Sequence, residues 1–459
     1  MSASHQLNRA APIGTDSVRI GGYPERRFPL SESQRGLWVV QRSQPRMIGY
    51  NVPVCFRLDG RLDPTLLRLT CVTLLSEHTL LTASIEGISG MPWVRARGPA
   101  LVPYYHASLP SGHRETAIDF LHRKAREPFD LSANQSLCRI YLISATEWRH
   151  YILFVCHHLV FDGSCIPLLR RSLSGTYASL SRGRRKVASG ATPSYEEFVA
   201  YEREWLACRE AHVQRDYWRR ALAGITYETA LLPDSFRYDP TATQTLEFSL
   251  PELLAEQINQ WTASNRVRPS VFFLGLYCLL LGSYAKASEV IVGTPTACRH
   301  QPRFEGVIGN FANMLALRVR IQPNQPRLDF LRSVQRCLAD ALDNSAFPFG
   351  RVVRDVNPKR SKLHAPLIQV AYVYLRCTPT AAVADEEFDD LSIETLDEFH
   401  QEGEYPLVLE IVARTRTYSI RFKHGTDSGG ATIQELARLY QRLLTQDSIG
   451  CGRASEFAS

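Results

Sequence analysis

The sequence predicts a protein of mixed α/β (α+β) class that is built from two lobes. The chain has 459 residues, which is long enough for two large domains. Apolar segments of strand length mix with longer segments of helical periodicity along the whole chain. A turn-rich passage, LLPDSFRYDPTATQ at 231–244, separates two halves of similar style. We therefore expect an N-terminal lobe over 25–225 and a C-terminal lobe over 226–447.

The composition is that of a globular protein with a sizeable core. Hydrophobic residues make up 44% and charged residues 22% of the chain. The net charge of +7 is small for this length, and no basic stripe carries interleaved aromatic residues, so we expect no nucleic-acid partner. None of the eleven cysteines lies within four residues of another, which predicts free thiols in a reducing cytoplasm and no metal site.

The chain ends and its most apolar segment indicate neither secretion nor a membrane span. Residues 1–24 are polar and contain no apolar signal-peptide core, so a flexible tail is expected there, and a loose tail at 448–459. The segment Val271–Ala285 is shorter than the roughly 20 residues that a membrane span needs. It predicts a helix buried on all sides, in a cytoplasmic protein without membrane contact.

The first lobe is predicted to mix helices with one clear central strand. Asp63 and Pro64 begin a helix as N-cap and first helical residue, and a second helix fits 114–126. Tyr151–Cys156 is short and uniformly apolar, which is typical of a buried strand. A helix follows it, with apolar residues at helical spacing at Ile166, Leu169, Leu173, Tyr177 and Leu180.

The first lobe is predicted to end with a long helix. The basic stretch 181–190 indicates an exposed loop. Ser194 and Glu197 form a capping box, and the helix they begin is predicted to reach Leu222.

The second lobe repeats this style. Helices are predicted over 270–286 and 328–343, and strands over 289–295 and 418–425. Thr432 with Glu435 predicts the cap of a final helix through Leu444.

The segment HHLVFDG, residues 157–163, connects the buried strand of the first lobe to the following helix. An imidazole there can accept and return a proton near neutral pH, and a nearby carboxylate can orient it. The glycine allows a ligand to approach the backbone closely. This set suits a base that activates an amine or hydroxyl against an acyl carbon, without a serine or cysteine nucleophile.

Other uses of the two histidines are less favoured by the pattern. Adjacent histidines in a strand point to opposite sides, so only one faces a given cleft, and no metal site is expected. The seven residues alone leave open that both histidines only pack within the loop. No phosphate-binding loop or dinucleotide glycine pattern is present, so nothing supports NTP or NAD binding.

HHLVFDG fits the HHxxxDG signature of condensation domains in nonribosomal peptide synthetases, and the chain resembles that family over about 25–445. Further segments agree in the order in which the family has them: FPLSESQRGLW (28–38), EHTLLTASI (77–85), PFDLSANQSLCRIYLI (128–143), YEEFVAYE (195–202), YWRRALAG (217–224), LLPDS (231–235), VIVGTPTACR (290–299), IGNFANMLALR (308–318), FPFGRVV (347–353) and HAPLIQVAYV (364–373).

The resemblance implies the fold and the partners. It implies two lobes similar to chloramphenicol acetyltransferase, arranged in a V around a central tunnel, with the HHxxxDG loop halfway along it. Acyl or peptidyl carrier proteins would deliver substrates on phosphopantetheine, and no cofactor would be bound to the enzyme itself.

The resemblance also implies roles for individual residues. His158, the second histidine, would be the catalytic base, and His157 would be structural. Asp162 would form an ion pair with an arginine of the other lobe, for which Arg299 is the candidate. Gly163 would let the acyl thioester pass close to the backbone. Asn313 is a candidate for either a structural or a tunnel-lining role.

The sequence departs from the family pattern near the first lobe. Glu77 and Thr79 stand where arginine and glutamate are usual, and Thr82 replaces an arginine. Cys165 follows Ser164 at a variable position. These changes put the usual aminoacyl-chain specificity in doubt.

These features lead to a functional prediction with alternatives. The chain ends soon after the resemblance, so we expect a monomeric, free-standing enzyme that meets its carrier in trans. It would transfer the carrier-bound acyl, polyketide or peptide chain to a small-molecule or carrier-bound acceptor in natural-product biosynthesis. The prediction favours an ester that releases the chain over an amide. The alternatives are a catalytically silent recruitment domain, a coenzyme A-dependent acyltransferase and an epimerase-like relative.

Overall fold

The chain forms two compact units. The computed structural model describes residues 11–12, 25–88, 90–99, 102–108, 116–184, 193–225, 239, 241, 243–322, 324–357, 367–376, 391–425 and 430–447. The first unit contains the described residues up to Glu204, the segment Arg299–Ala312 and the described part of 382–401. The remaining described residues form the second unit.

The first unit is built on a six-stranded sheet and a smaller three-stranded sheet. The large sheet has the order β1-β6-β7-β8-β3-β13, and the small sheet has the order β2-β5-β4. Only the β6–β7 pair is parallel among these neighbours. The strands are β1 (Ala11–Pro12), β2 (Arg26–Pro29), β3 (Asn51–Asp59), β4 (Ala83–Ile88), β5 (Met91–Ala96), β6 (Pro103–Ser108), β7 (Cys138–Ser144), β8 (Arg149–His157) and β13 (Ser392–Thr395).

Helices complete the first unit, and most follow the predictions. They are α1 (Glu32–Ser43), α2 (Pro64–Glu77), α3 (Ala117–Ala125), α4 (Ile166–Ser181) and α5 (Tyr195–Trp205). Asp63 caps α2 as expected, because its side chain accepts hydrogen bonds from the Thr65 and Leu66 amides. The predicted central strand and the helix after it are confirmed as β8 and α4.

The second unit has one six-stranded sheet of order β11-β10-β12-β14-β15-β9. The β10–β12 and β12–β14 pairs are parallel and the others are antiparallel. Its strands are β9 (Thr243–Ser249), β10 (Glu289–Thr296), β11 (Asn313–Arg320), β12 (Val370–Arg376), β14 (Leu407–Ala413) and β15 (Tyr418–Gly425). The strands predicted over 289–295 and 418–425 are thereby confirmed.

One helix of the second unit is buried along its central part, as its composition predicts. The helices are α6 (Arg209–Ala221), α7 (Glu252–Ser264), α8 (Pro269–Ala285), α9 (Arg327–Asp343), α10 (Phe349–Val356) and α11 (Gly430–Asp447). Every residue from Val271 to Gly282 in α8 is buried. A Cβ added at Gly275 would lie 2.3 Å from the Leu331 side chain, so this glycine permits the close approach of α9. No single helix in the described ranges is long and apolar enough to cross a membrane; α7 and α8 reach that length only together, with a 103° bend between them.

The division between the units differs from the predicted one at residue 225. The first unit ends at Glu204, and it gains two later segments. The physical reason is pairing with residues far away in sequence: β13 adds to the edge of β3, and the segment Arg299–Ala312 hydrogen-bonds to the loop after β8. Local composition carries no signal for such pairing.

Two predicted helix boundaries are wrong. The helix expected from Ser194 to Leu222 is broken into α5 and α6 at residues 206–208, although the Ser194–Glu197 capping box is present. Thr432 lies inside α11, which already includes Gly430, so it is not the cap. The 181–190 loop, the 231–244 passage and both predicted tails lie largely outside the described residues.

Candidate active site

His158 follows a strand that is buried on both faces. Strand β8 lies between β7 and β3, and all of its residues from Ile152 to His157 are buried. Such a continuous apolar run is typical of a central strand. The strand ends at His157, and the His158 amide donates a hydrogen bond to the Tyr50 carbonyl at 2.8 Å. The backbone of His158 is therefore fixed just beyond the sheet.

The His158 ring is nearly enclosed, with an exposed fraction of 9%. The Tyr50 ring lies edge-on to it, with 6.4 Å between the ring centres. Its Nδ1 is buried and has no hydrogen-bond partner among the residues that the structure describes. A neutral imidazole has one donor and one acceptor nitrogen, so this ring can exchange a proton with a bound molecule.

His157 is packed inside the loop with both ring nitrogens engaged. The Leu159 amide donates to its Nδ1 at 3.0 Å, and its Nε2 lies 3.4 Å from Gln41 Oε1. Because Nδ1 accepts, the proton of the neutral ring belongs on Nε2. Burial, together with the nearby His158 and Arg139, lowers the pKa of His157 to about 3. This geometry supports the structural role that the sequence predicts for His157.

The lowered pKa of His157 predicts a pH-dependent stability. The unfolded chain protonates this histidine near pH 6.5, whereas the folded chain does so only near pH 3. The contribution of His157 to stability is thus fully present above pH 6.5 and is lost as the pH falls from 6.5 toward 3, where the unfolded state binds one more proton. Over that range we expect a slope of about 1.4 kcal/mol per pH unit from this residue.

Urea unfolding of the wild type and of His157→Gln at several pH values measures this slope. Other buried histidines also contribute in the wild type, so the informative quantity is the difference between the two proteins. Between pH 6 and 4, we expect the free energy of unfolding of His157→Gln to change less with pH than that of the wild type, by the equivalent of about one bound proton. Equal slopes would mean that folded His157 is already protonated.

Asp162 holds the far end of the loop through hydrogen bonds to backbone amides. Its side chain is buried, and Oδ2 accepts from the Phe311 amide at 2.7 Å and the Ala312 amide at 3.0 Å. Oδ1 accepts from the Ser164 amide at 2.9 Å and the Ser164 hydroxyl at 2.5 Å. These hydrogen bonds offset the free-energy cost of burying the carboxylate, and they tie the loop to residues 311–312.

Arg299 forms an ion pair with Asp162, as the resemblance implies, but it does not come from the other unit. It was expected to come from the other lobe, but Arg299 belongs to the same compact unit as Asp162. Its Nη2 lies 4.0 Å from Asp162 Oδ1, which is a charge contact without a direct hydrogen bond. The reason is that Ser164 lies between them and accepts from Arg299 Nε at 2.8 Å.

Arg299 also braces the segment that meets Asp162. Its Nη1 donates to the Phe304 carbonyl at 2.8 Å and the Val307 carbonyl at 2.9 Å. The guanidinium carbon lies 4.2 Å from the centre of the Phe311 ring, within cation–π range. These contacts hold the turn that presents the Phe311 amide to Asp162.

Cys165 is unsuited to be a covalent nucleophile. Its thiol is fully buried and donates to the Gly309 carbonyl at 3.2 Å. Burial, followed by the charge of Asp162, raises the pKa of Cys165 to about 12. Because the thiolate is the reactive form, this thiol remains inert and contributes packing.

Gly163 faces open space, unlike its neighbours. A Cβ added to it would meet no atom within 4 Å. It begins the short 3₁₀ turn Gly163–Cys165, in which the Asp162 side chain accepts a hydrogen bond from the Ser164 amide. The backbone is therefore accessible at this position beside the loop.

Asn313 lies in the second unit, where its side chain contacts the loop before α10 and the first residue of that helix. Its Nδ2 donates to the Ser345 and Phe347 carbonyls at 2.8 and 2.9 Å, and its Oδ1 accepts from the Phe349 amide at 2.8 Å. With its amide fully engaged, Asn313 ties the start of β11 to the loop before α10. These contacts support the structural alternative of the two that the sequence left open.

Two residues that contact the loop are absent from the predicted site. Gln34 donates to the Leu159 carbonyl at 2.7 Å, and Gln41 contacts His157. Both lie on α1, within or just after the FPLSESQRGLW segment. The capping box of Ser31 and Gln34 marks the helix start in the sequence, but nothing local indicates that its glutamine reaches residue 159.

No metal centre accompanies the histidines. Within the described ranges, no three His, Cys, Asp or Glu side chains gather in a way that suits a metal ion.

Comparison with known proteins gives concordant results over most of the chain. A family model described as "Condensation domain" matches residues 25–451. The chain is 33% identical to polyketide synthase PksN of Bacillus subtilis over 420 residues, which is 90% of this chain and 8% of that synthase. The chain thus spans less than a tenth of that relative's length.

Solved structures show the same fold. The first condensation domain of the calcium-dependent antibiotic synthetase, in complex with a substrate analogue, matches with a TM-score of 0.77 at 19% identity, covering 94% of this chain and 98% of that one. The X-domain from teicoplanin biosynthesis matches with a TM-score of 0.82 at 20% identity, covering 95% and 98%. With the family match over 25–451 and the intact HHLVFDG segment, the chain belongs to the condensation domain family.

Proposed function

We propose that the protein transfers an acyl chain from the phosphopantetheine thioester of a carrier protein to an acceptor hydroxyl or amine. One observation carries the proposal: His158 lies just beyond a strand end, its amide is held by the Tyr50 carbonyl, and its ring Nδ1 makes no hydrogen bond within the described residues. A base in this position suits acyl transfer by condensation domains. The similarity to a polyketide synthase favours an acyl or polyketide chain as the donor.

The proposed reaction needs one base and no covalent enzyme intermediate. His158 Nε2 accepts the proton of the acceptor O–H or N–H as the oxygen or nitrogen bonds to the thioester carbon. The carbon–sulfur bond then breaks, and the departing phosphopantetheine thiolate takes a proton from the imidazolium. A hydroxyl acceptor gives an ester and releases the chain, which is the outcome we favour; an amine gives an amide.

A reconstituted assay tests the proposal. Purified protein is mixed with a separately prepared polyketide-type carrier protein that bears hexanoyl-phosphopantetheine, and with a panel of small alcohols and amines. Mass spectrometry follows loss of the acyl group from the carrier and formation of ester or amide. We expect product that depends on both enzyme and acceptor, and this arrangement also tests whether the carrier works in trans.

The other outcomes identify the alternatives. Equally fast transfer from free hexanoyl-coenzyme A would indicate a coenzyme A-dependent acyltransferase. Inversion of a chiral centre in a carrier-bound chain, with no acceptor consumed, would indicate an epimerase-like relative. If no acceptor reacts while the protein forms a stable complex with another biosynthetic enzyme, the recruitment alternative holds and acyl transfer is contradicted.

Gly163 provides a prediction that separates substrate access from folding. Because an added Cβ meets open space, Gly163→Ala should fold normally and unfold at an equal or slightly higher temperature. If the thioester passes along this backbone, a larger side chain obstructs it, and Gly163→Leu should lower turnover about tenfold or more. Thermal unfolding and the carrier assay check the two effects, and full activity of Gly163→Leu would place the thioester elsewhere.

A further inference from the structure

Helix α1 buries two side chains, and both are glutamines. Gln34 is fully buried and Gln41 is 2% exposed, whereas the ten other residues of the helix are partly or fully exposed. Seven positions correspond to about two helical turns, so the two side chains lie on one face. A buried amide destabilises the fold unless its hydrogen bonds are made, so this face indicates specific polar partners.

Both glutamines contact the segment that contains His158. Gln34 Nε2 donates to the Leu159 carbonyl at 2.7 Å, while its Oε1 accepts from the Ser31 amide at 2.9 Å. Gln41 Oε1 lies 3.4 Å from His157 Nε2. The two loop residues that these glutamines contact are thus the residues immediately before and after His158.

The orientation of the Gln41 amide fixes the protonation of His157. Its Nε2 donates to the carbonyls of Pro45 and Met47 at 3.3 and 3.2 Å. Carbonyls only accept, so the amide oxygen must be the atom that faces His157. That oxygen requires a proton on His157 Nε2, which leaves Nδ1 free to accept from the Leu159 amide.

At Leu159, the residue after His158, hydrogen bonds to side chains take the place of the backbone pairing of a sheet. Leu159 lies in a turn, beyond the end of β8. Its amide is held by His157 Nδ1 and its carbonyl by Gln34, while the His158 amide is held by the Tyr50 carbonyl. The backbone on both sides of His158 therefore depends on side chains that α1 orients.

We propose that Gln34 and Gln41 are positioning residues that hold the His158 backbone in its catalytic geometry, Gln34 directly and Gln41 through the tautomer of His157. This inference rests on the proposed function for the catalytic meaning of the geometry. Neither glutamine contacts the His158 ring, so each acts on turnover through the loop.

The variants Gln34→Met and Ser31→Ala test the direct part. Both break the capping box of α1, but Ser31→Ala leaves the bond from Gln34 to the Leu159 carbonyl intact. We expect Tm to fall in both, because each variant loses one of the two reciprocal bonds of the capping box, and Ser31→Ala also loses the contact of the Ser31 hydroxyl with the Tyr195 hydroxyl. Only Gln34→Met should lower kcat, by about 10- to 100-fold, with little change in the KM for the acyl carrier.

A hydrogen bond within α2 provides a second control. Thr70→Val removes the bond from the Thr70 hydroxyl to the Leu66 carbonyl within α2, without changing the side-chain shape. We expect this variant to keep wild-type kcat. The proposal is overturned if Gln34→Met keeps wild-type kcat, or if Ser31→Ala and Thr70→Val lose as much kcat as Gln34→Met.

The variant Gln41→Glu tests the indirect part by its pH profile. A carboxylate beside Nε2 should raise the pKa of His157, and protonation at Nδ1 would displace the Leu159 amide. On the acid side of a plot of log kcat against pH, Gln41→Glu should then have a slope of about two, whereas the wild type has a slope of about one. Adding His157→Gln should return the slope to one, and an unchanged slope in Gln41→Glu would overturn this part.

A spectroscopic measurement keeps this inference separate from the proposed function. Proton–nitrogen spectra of protein labelled with ¹⁵N-histidine report which nitrogen of His157 carries the proton, with His157→Gln for assignment. We expect the Nε2–H tautomer in the wild type and a weaker preference for it in Gln41→Met, where only the Leu159 amide still favours it, whether or not acyl transfer occurs. An Nδ1–H tautomer in the wild type would refute the inference, whereas an inactive wild type with the expected tautomer would refute only the proposed reaction.

Discussion

Replacing His158 with alanine is expected to lower turnover in the carrier assay by about 10²- to 10⁴-fold, which is the usual contribution of a general base. The enzyme would still hold both substrates but would have no group to accept the proton of the acceptor. Because the Nδ1 of His158 has no partner in the described part of the chain, removal of the ring breaks no hydrogen bond there and the fold should persist. Product formation by mass spectrometry and Tm measure the two effects.

An exposed histidine in the same unit is the matched control. His106 lies on β6, its Nε2 is 3.4 Å from the Ser144 hydroxyl, and it is far from the loop in sequence. His106→Ala should keep wild-type turnover. If His158→Ala also forms product at the wild-type rate, His158 is not the base and the proposed mechanism fails.

Replacing Asp162 with alanine is expected to destabilise the protein by about 3–5 kcal/mol. The change leaves the buried Phe311 and Ala312 amides without their acceptor, and it removes the negative charge beside Arg299, whose side chain is only 11% exposed. We expect a loss of soluble protein and a fall in Tm of roughly 10 °C. Both are measured on purified protein without any substrate.

The variant Asp162→Asn separates hydrogen bonding from charge. Asparagine keeps one acceptor oxygen and the side-chain shape, so it should recover part of the stability that alanine loses. If the charge contact at 4.0 Å with Arg299 were the main stabilising interaction, asparagine would be as harmful as alanine. A wild-type Tm in Asp162→Ala would contradict the architectural role altogether.

The parts of the fold that were predicted correctly are those with a local signal. The largely buried helix α8 and the central strand β8 are continuous apolar runs of characteristic length, and Asp63–Pro64 is a short-range cap. The break between α5 and α6 has no such signal, because residues 206–208 include neither proline nor glycine. There, tertiary packing of Leu206 accompanies the end of the helix.

The site was predicted only in part for a related reason. The residues of HHLVFDG are adjacent in sequence, so their pattern can be recognised directly. Their supports are distant: Gln34 and Leu159 are separated by 125 residues, and Asp162 and Phe311 by 149. A hydrogen bond between a side chain and a remote backbone group depends on the fold. Because nearly every residue has the same backbone groups, the residue type does not show which one is the partner.

The two late segments of the first unit have a consequence for synthesis on the ribosome. Domains generally fold as units while the chain emerges, with the N-terminal one first. Here the amides of residues 311–312, which donate to Asp162, are translated long after it. Strand β13 (Ser392–Thr395), which pairs with β3, is translated later still. Until those residues have been translated, the nascent first unit has an unpaired β3 edge, and Asp162 lacks two of its backbone donors.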